Sequence, residues 1–392
     1  MNLDANMGAE KIRVLHIIGQ LGVGGCEKQL LELCRRMDRD AIEQAVAYYS
    51  PDPQCMREAF AETGVRLYYV NKFGGISLWR FFLTLRGFIR DFQPDVIHTW
   101  QYSPNCWGRL AGLSCGHRRF IASERTAMRS PPPILRAFEM LFGRWTVYTA
   151  NTEAVANAMR RSTGIPPERI HITHNGVEMK PIDKQQARLE VRAELGVPSD
   201  APIVLAVGRL TKAKNYPMFL RVAGRVARKR PDAVFVIAGH GELKEPLEAL
   251  RARLNLERSV RMLGIRSDVP RLMAAADVFC LCSLWEGFPN VLVEAMASGL
   301  PAVSTDFAGV GEILDDGGAS IGARVGLDRD DAMADCVLRW LSDPEQRASI
   351  GCAGRESAER RFSWPRLVRQ MDQLYVGMAD GRAHKRISGA AE

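Results

Sequence analysis

Apolar positions follow two rhythms along this chain. Ile12–Ile18 (IRVLHII) is a near-continuous apolar run, the pattern of a parallel strand covered on both faces. A glycine-rich loop from Gly19 to Gly25 follows, and Glu27–Met37 then carries helical spacing. The succession continues. Gln44–Tyr49 and Val65–Val70 read as strands, Leu78–Phe92 as a helix, Asp95–Trp100 as a strand and Trp107–Leu113 as a helix. Arg119–Ser123, Thr146–Ala150 and Ile170–Thr173 read as strands, with helices at Pro133–Phe142 and Glu153–Arg161. Strands alternating with helices predict a doubly wound parallel sheet.

Residues 181–201 break the rhythm. They are polar and charged, contain Gly196 and start no obvious strand, so they are expected to link two domains. A second alternating unit begins at Ile203. Its expected strands are Ile203–Val207, Ala233–Ala238, Val260–Leu263, Val278–Leu281 and Pro301–Ser304. Its expected helices are Tyr216–Lys229, Leu243–Leu254, Val269–Ala275, Val291–Ala297 and Asp330–Leu341. A charged helix, Arg347–Arg361, is broken from a final helix, Arg366–Met378, by Phe362-Ser363-Trp364-Pro365. The fold class is therefore α/β, with two Rossmann-like domains at 1–180 and 202–361. Residues 1–10 are expected to be a loose end and 379–392 a disordered tail.

Composition narrows the function. A length of 392 residues exceeds one ordinary core, and 46% hydrophobic with 25% charged residues is typical of a soluble globular protein. There is no apolar run of 18 residues and no signal-like N-terminus, which predicts a cytoplasmic protein. The nine cysteines form no C-x-x-C pair, so they are read as reduced, with no metal site. A net charge of +8 suits an anionic ligand or an anionic membrane surface. No recognition motif points to nucleic acid.

The stretch from Ser283 to Leu314 carries the most chemistry. Glu286 lies in a loop just outside an expected helix, and Glu294 lies about one turn inside it. Free backbone N–H groups and the helix dipole favour an anion such as phosphate at that N-terminus. Carboxylates would repel phosphate and are better suited to accept hydrogen bonds from hydroxyl groups. A ligand offering both is a sugar nucleotide. A second glycine loop, Gly208-Arg209-Leu210 with Lys214-Asn215 beyond, puts two cations at a strand end, where they can neutralise a diphosphate. The first glycine loop lacks G-x-G-x-x-G spacing, so a dinucleotide cofactor is not expected.

In order along the chain, Gly24-Gly25-Cys26-Glu27, Asn175-Gly176-Val177-Glu178, Gly208-Arg209-Leu210 with Lys214-Asn215, Gly239-His240-Gly241-Glu242 and Glu286 to Glu294 form a set. Together they resemble the motifs of the retaining family-4 glycosyltransferases of the two-Rossmann GT-B architecture. That resemblance implies two sheets facing an interdomain cleft, with residues 362–378 crossing back to the N-terminal domain. It implies that Arg209 and Lys214 hold the donor diphosphate and stabilise the departing charge. Glu286 would meet the donor sugar's hydroxyls and Glu294 the ribose. Gly24, Gly25, Gly208, Gly241, Gly287, Phe288, Asn290 and Val291 would line the donor, with its base near Ile265. A UDP-sugar is expected over a GDP-sugar, with no cofactor and no metal. The acceptor would be a hydroxyl of a glycan or lipid-linked molecule, in cell-surface polysaccharide or glycolipid synthesis.

The segment Ala122-Ser123-Glu124-Arg125 departs from the family pattern, since many relatives carry a histidine there. That leaves the space to Glu124 or Arg125, with His98 the nearest candidate catalytic imidazole or else a buried structural residue. The helices at 78–90 and 131–145 interleave arginine with Trp and Phe. They read either as amphipathic helices on the sheet or as a docking face for the inner leaflet. The rival functions are a sugar-nucleotide 2-epimerase and a non-catalytic nucleotide-sugar-binding protein.

Overall fold

The structure, a computed structural model, describes residues 10–51, 55–72, 74–126, 134–179 and 181–381. Most of the expected N-terminal loose end, the prolines at 131–133 and the expected tail beyond 381 lie outside the described residues. The chain divides into two compact units, Met1–Asn175 with Pro365–Glu392, and Gly176–Trp364.

In the first unit the strands are β1 (Ile12–Ile18), β2 (Ile42–Tyr48), β3 (Arg66–Tyr69), β4 (Val96–Trp100), β5 (Phe120–Glu124), β6 (Thr146–Ala150) and β7 (Ile170–Ile172). The helices between them are α1 (Gly25–Arg36), α2 (Arg57–Ala61), α3 (Leu78–Phe92), α4 (Tyr102–Ser114), α5 (Ile134–Phe142) and α6 (Glu153–Thr163). The strands form one parallel sheet in the order β3-β2-β1-β4-β5-β6-β7. The order reverses between β1 and β4, and such a switch point opens a crevice at the strands' C-terminal ends. Helix α3 shows how pattern becomes packing. Ser77 caps it by accepting from the Arg80 N–H at 3.3 Å, and Phe81, Leu85, Ile89 and Phe92 bury one stripe.

In the second unit the strands are β8 (Ile203–Val207), β9 (Val234–Ala238), β10 (Val260–Met262), β11 (Val278–Leu281) and β12 (Ala302–Thr305), with short β13 (Asp315–Asp316), β14 (Ala319–Ser320) and β15 (Ala323–Val325). Its helices are α7 (Lys184–Leu195), α8 (Tyr216–Ala227), α9 (Lys244–Arg253), α10 (Val269–Ala275), α11 (Asn290–Ala297), α12 (Gly311–Leu314), α13 (Asp330–Ser342) and α14 (Pro344–Phe362). Six of the strands form a parallel sheet in the order β10-β9-β8-β11-β12-β15, whose switch point lies between β8 and β11. Apolar clusters cover both faces.

The expected linker is instead helix α7, capped by Asp183 and closed by Gly196 in the left-handed region. Ala187 and Val191 are its only buried apolar residues, too few to produce an apolar stripe in the sequence. What holds it is a buried ion pair. Arg192 donates to Asp277 at 2.9 Å and to the Ala201 and Ala275 carbonyls, and Asp277 also accepts from the Ile203 N–H. Breaking such a pair leaves an uncompensated buried charge. The final helix, α15 (Trp364–Ala379), belongs to the first unit from Pro365 onward. Its Leu367, Met371, Tyr375 and Met378 are buried.

Candidate functional site

At the second unit's switch point the loops after β8 and β11 are stitched together. The Leu284 N–H donates to the Ala213 carbonyl at 2.7 Å, and Thr305 Oγ1 donates to the Ser283 carbonyl at 2.6 Å. Lys214 ends a single 3-10 turn, Lys212–Lys214, and Asn215 in the left-handed region turns the chain into α8. Its Nζ lies 2.5 Å from Glu286 Oε1, and the same oxygen accepts from Ser283 Oγ at 2.7 Å. Lys214 and Glu286 retain 18% and 15% side-chain exposure, so the pair is desolvated yet still open to a ligand. Below it, a cavity of about 10 Å³ lined by Lys214, Tyr216 and the ends of β8 and β11 has room for about one water. Arg209 is exposed and makes no side-chain hydrogen bond or ion pair among the described residues.

The glycines here serve loop-on-loop packing. The Gly208 carbonyl accepts from the buried Tyr216 hydroxyl at 2.9 Å. A Cβ on Gly239, at φ +156°, would overlap the Gly208 carbonyl, and one on Gly241 would lie 2.6 Å from the Leu210 carbonyl oxygen. The turn after β9 thus rests on the turn after β8, and Gly241 has a packing reason for lacking a side chain.

Helix α11 starts at Asn290 behind Pro289, with no side chain capping it. The Asn290 N–H bonds to the Phe288 carbonyl, and those of Leu292 and Val293 to the Pro289 carbonyl. The Val291 N–H has no acceptor among the described residues. An open amide on a helix N-terminus is a ready anion donor. Glu294 is half-buried one turn inside α11, while the Phe288 ring is core, packed edge-on to Phe362 at 5.7 Å. Phe288 and Gly287 therefore offer backbone only. Ile265 stands 76% exposed after Gly264, an apolar surface where a base was expected. Gly311 and Glu312 begin the short α12.

In the first unit, Gly24 precedes α1 in extended conformation and Gly25 is its exposed first residue. The Glu27 carboxylate folds back over this turn, and a Cβ on Gly24 would overlap it. Sequence reasoning left His98 either a catalytic imidazole or a buried structural one, and its surroundings are those of the structural one rather than the catalytic one. His98 has no exposed surface. Its Nδ1 lies 2.8 Å from the Tyr375 hydroxyl and its Nε2 2.7 Å from Ser123 Oγ. Trp100 stacks on the ring at 4.4 Å. Burial, then the nearby His16 and Arg125, hold its pKa well below the ordinary value, so it stays neutral. Its two hydrogen-bond partners are 25 and 277 residues away in sequence, which no local pattern reports.

Ser283, Tyr216, Gln101 and Asn105 shape these strand ends and were missed. Only Ser283 had a legible signal, its three-residue spacing from Glu286. Among the described residues, no group of three His, Cys, Asp or Glu side chains could hold a metal ion, and no helix is long and apolar enough to cross a membrane.

Comparison with known proteins covers both units. The family model "Glycosyltransferase Family 4" matches residues 23–180, and "Glycosyl transferases group 1" matches residues 187–357. The lipopolysaccharide core biosynthesis glycosyltransferase LpsD of Rhizobium meliloti is 26% identical, over 96% of this chain and all of that protein. An Escherichia coli UDP-Gal:alpha-D-GlcNAc-diphosphoundecaprenol alpha-1,3-galactosyltransferase is 28% identical, over 58% of this chain and 62% of that protein. The crystal structure of Anabaena HepE in complex with UDP matches with a TM-score of 0.81 at 20% identity, covering 92% of this chain and 99% of that one.

Proposed function

Since the chain belongs to glycosyltransferase family 4, with the two Rossmann-like domains of the GT-B class, we propose that it moves the sugar of a UDP-sugar, with retained anomeric configuration, to a hydroxyl of a lipid-linked glycan. The Lys214–Glu286 pair at the β8/β11 switch point carries this reading. A cation already half neutralised by a carboxylate can be shared with an arriving phosphate, while the carboxylate turns to sugar hydroxyls. Arg209, exposed beside it, adds a second charge for the diphosphate, and the Val291 N–H adds a donor. As the leaving diphosphate gains charge, these preset groups stabilise it without reorganising. Glu294 accepts from the ribose hydroxyls, and Ile265 offers an apolar surface to the base. Because side-chain cations supply the positive charge, the transfer needs no resident metal.

Uracil is favoured because the E. coli relative is named for UDP-galactose and the Anabaena neighbour was solved with UDP. The test is a melting-temperature screen of UDP-, GDP- and ADP-sugars, because a ligand binding only the native state raises apparent stability. Stabilisation by UDP-sugars alone is expected, and a GDP-sugar preference would overturn the base assignment. Transfer assayed by NMR then reports the anomeric outcome, and an epimerised free sugar without acceptor would favour the epimerase.

The first unit adds a membrane reading. Leu78, Trp79 and Leu83 on α3 and Met140 and Leu141 on α5 are exposed, with Trp79 at 65% and Met140 at 75%. Exposed Arg80 and Arg90 on α3, and Arg136 and Arg144 on or beside α5, add charge. Apolar side chains flanked by arginine suit an anionic leaflet. Flotation with phosphatidylglycerol vesicles at low salt is expected, weakened by Trp79→Ser with Met140→Ser. Absence of flotation would sink this localisation at the inner membrane face.

A further inference from the structure

The second unit has a cavity at the opposite end of its sheet from Lys214 and Glu286. Its volume is about 170 Å³, and it lies where β11 and β12 begin, between α7, the end of α11 and the first turn of α14. That is close to an engineered cavity of about 150 Å³ that admits benzene. Asp277 precedes β11 and Gly299-Leu300-Pro301 precede β12. The four residues of β11 therefore stand between the cavity and the Lys214–Glu286 pair, roughly 13 Å at ~3.3 Å per residue. Met273, Leu300 and Pro301 give the cavity an apolar wall. Lys184 and Arg188 on α7 and Arg347 on α14 give it a cationic one, and Asp277 is the only carboxylate among the residues that line it.

Asp277 does not balance these cations. Its Oδ2 accepts from Arg192 Nη2 and from the Ile203 N–H, each at 2.9 Å, so the buried Arg192 already neutralises it. Arg188 Nη1 donates to the other oxygen at 2.9 Å, and Arg347 Nη2 stands 3.7 Å from it. Arg347 Nη1 donates to the Trp340 carbonyl at 3.1 Å. Among the described residues, Arg188 Nε and Nη2 and Arg347 Nε have no acceptor. Lys184 Nζ makes one long bond, to the Gly299 carbonyl at 3.4 Å. Arg355 stands beside it: a Cβ on Gly299 would lie 3.0 Å from Lys184 Nζ and 4.0 Å from Arg355 Cδ. Arg355 itself is paired with Glu359 at 2.8 Å. The carboxylates at the starts of α7 and α14, Asp183 and Asp343, accept from the Gln186 and Gln346 amides of their own helices.

These cations are badly placed for the fold alone. Lys184 opens α7 and Arg347 lies in the first turn of α14, where a positive charge opposes the helix dipole. Lys184 and Arg188 are one turn apart on α7, a like-charge spacing that destabilises a helix. Packing around Lys184, then repulsion from Arg355 and Arg188, lowers its pKa from the ordinary value, with Cys352 opposing. A single anion in the cavity would turn each of these repulsions into an attraction. We propose that the cavity is a binding site for a phosphate dianion, free or at the end of a small ester, held by Lys184, Arg188 and Arg347. The open guanidinium N–H groups match phosphate oxygens in geometry and charge. The apolar wall of Met273 and Pro301 receives the carbon of an ester. This site is separate from the Lys214–Glu286 edge and does not depend on the transferase reading.

The test follows the Met273 methyl by NMR in full-length protein labelled at its methionine methyls, with the signal assigned by Met273→Leu. Inorganic phosphate, titrated at constant ionic strength against chloride, should move that signal and saturate on the order of millimolar. Lys184→Gln with Arg188→Gln leaves Asp277 its bonds from Arg192 and Ile203. The double variant should bind phosphate about tenfold or more weakly, through the loss of charge-assisted bonds. If it fails to fold, exposed Lys184→Gln alone carries the test, with weaker binding expected. Lys214→Ala should leave the titration of Met273 unchanged, which separates this cavity from phosphate held at the other end of the sheet. Glycerol phosphate binding more tightly than inorganic phosphate would identify an ester as the occupant, and equal or weaker binding would identify the free anion. A Met273 signal that neither phosphate moves, that chloride moves equally, or that titrates alike in wild type and the double variant overturns the proposal.

Discussion

The two switch points use polar residues in opposite ways. In the second unit, between β8 and β11, charge is left facing outward on exposed Arg209, half-buried Lys214 and Glu286, and the open Val291 N–H. In the first unit, between β1 and β4, most polar groups are turned inward. His98 is closed between Tyr375 and Ser123, Trp100 Nε1 donates to His16 at 3.2 Å, and His16 meets Gln44. Glu124 is the exception, half-open at the next strand end. The difference lies in what fills each edge. The second edge is built from short loops that leave cations and an amide at the surface. The first edge is a packed polar network whose groups mostly bond to one another, with Glu124 half-buried at its margin.

Four outcomes would break or sharpen that contrast. The largest effect should come from Lys214→Ala, which removes phosphate charge and leaves Glu286 unpaired, costing about 10³-fold in UDP release. The matching His98→Phe protein, where it folds, should keep turnover well above that of Lys214→Ala. A folded His98→Phe protein as inactive as Lys214→Ala would erase the distinction between the edges. Next, Tyr375→Phe leaves His98 Nδ1 buried without its partner and should cost about 1–3 kcal/mol in urea unfolding, with donor binding intact. A loss of UDP-sugar stabilisation instead would mean that the inward network touches the donor.

A smaller effect concerns Glu124 and has a definite sign. Its folded pKa, about 7, lies above the ordinary 4.5, so the folded state binds the proton more tightly. Its contribution to stability is complete below about 4.5 and is lost as pH rises through about 7. Glu124→Gln should therefore melt higher than wild type at pH 8, by about 2–4 °C, and the gain should shrink toward pH 5. An equal gain at both pH values would show that the carboxyl is not desolvated. The smallest expected effect is that of chelation. EDTA should change UDP release by less than about twofold if cationic side chains supply the charge at the leaving group. A large loss would mean that the second edge needs a metal as well.

Much of this protein was legible in its residue order. Leu78–Phe92, Thr146–Ala150, Ile203–Val207, Val269–Ala275 and Val278–Leu281 fold over the ranges their periodicity predicts. A parallel strand or amphipathic helix writes its period into neighbouring residues, so local reading finds it. The Gly208–Lys214 and Glu286–Glu294 stretches were legible for the same reason. Each is a short loop or helix start of near neighbours in sequence, and the chain brings each whole to the strand ends. What escaped was set by contacts between distant residues. Helix α7 depends on Arg192 meeting Asp277, 85 residues away. Gly239 is required by the Gly208 carbonyl beneath it, and His98 became structural because Tyr375 folds onto it from the last helix. Glu124 stands out only once Asn105 fixes one of its oxygens and both nearby arginines are engaged by other partners. Periodicity and turn chemistry are properties of neighbours in the chain. Burial, charge compensation and the identity of a hydrogen-bond partner are properties of neighbours in space, and only the tertiary structure decides those.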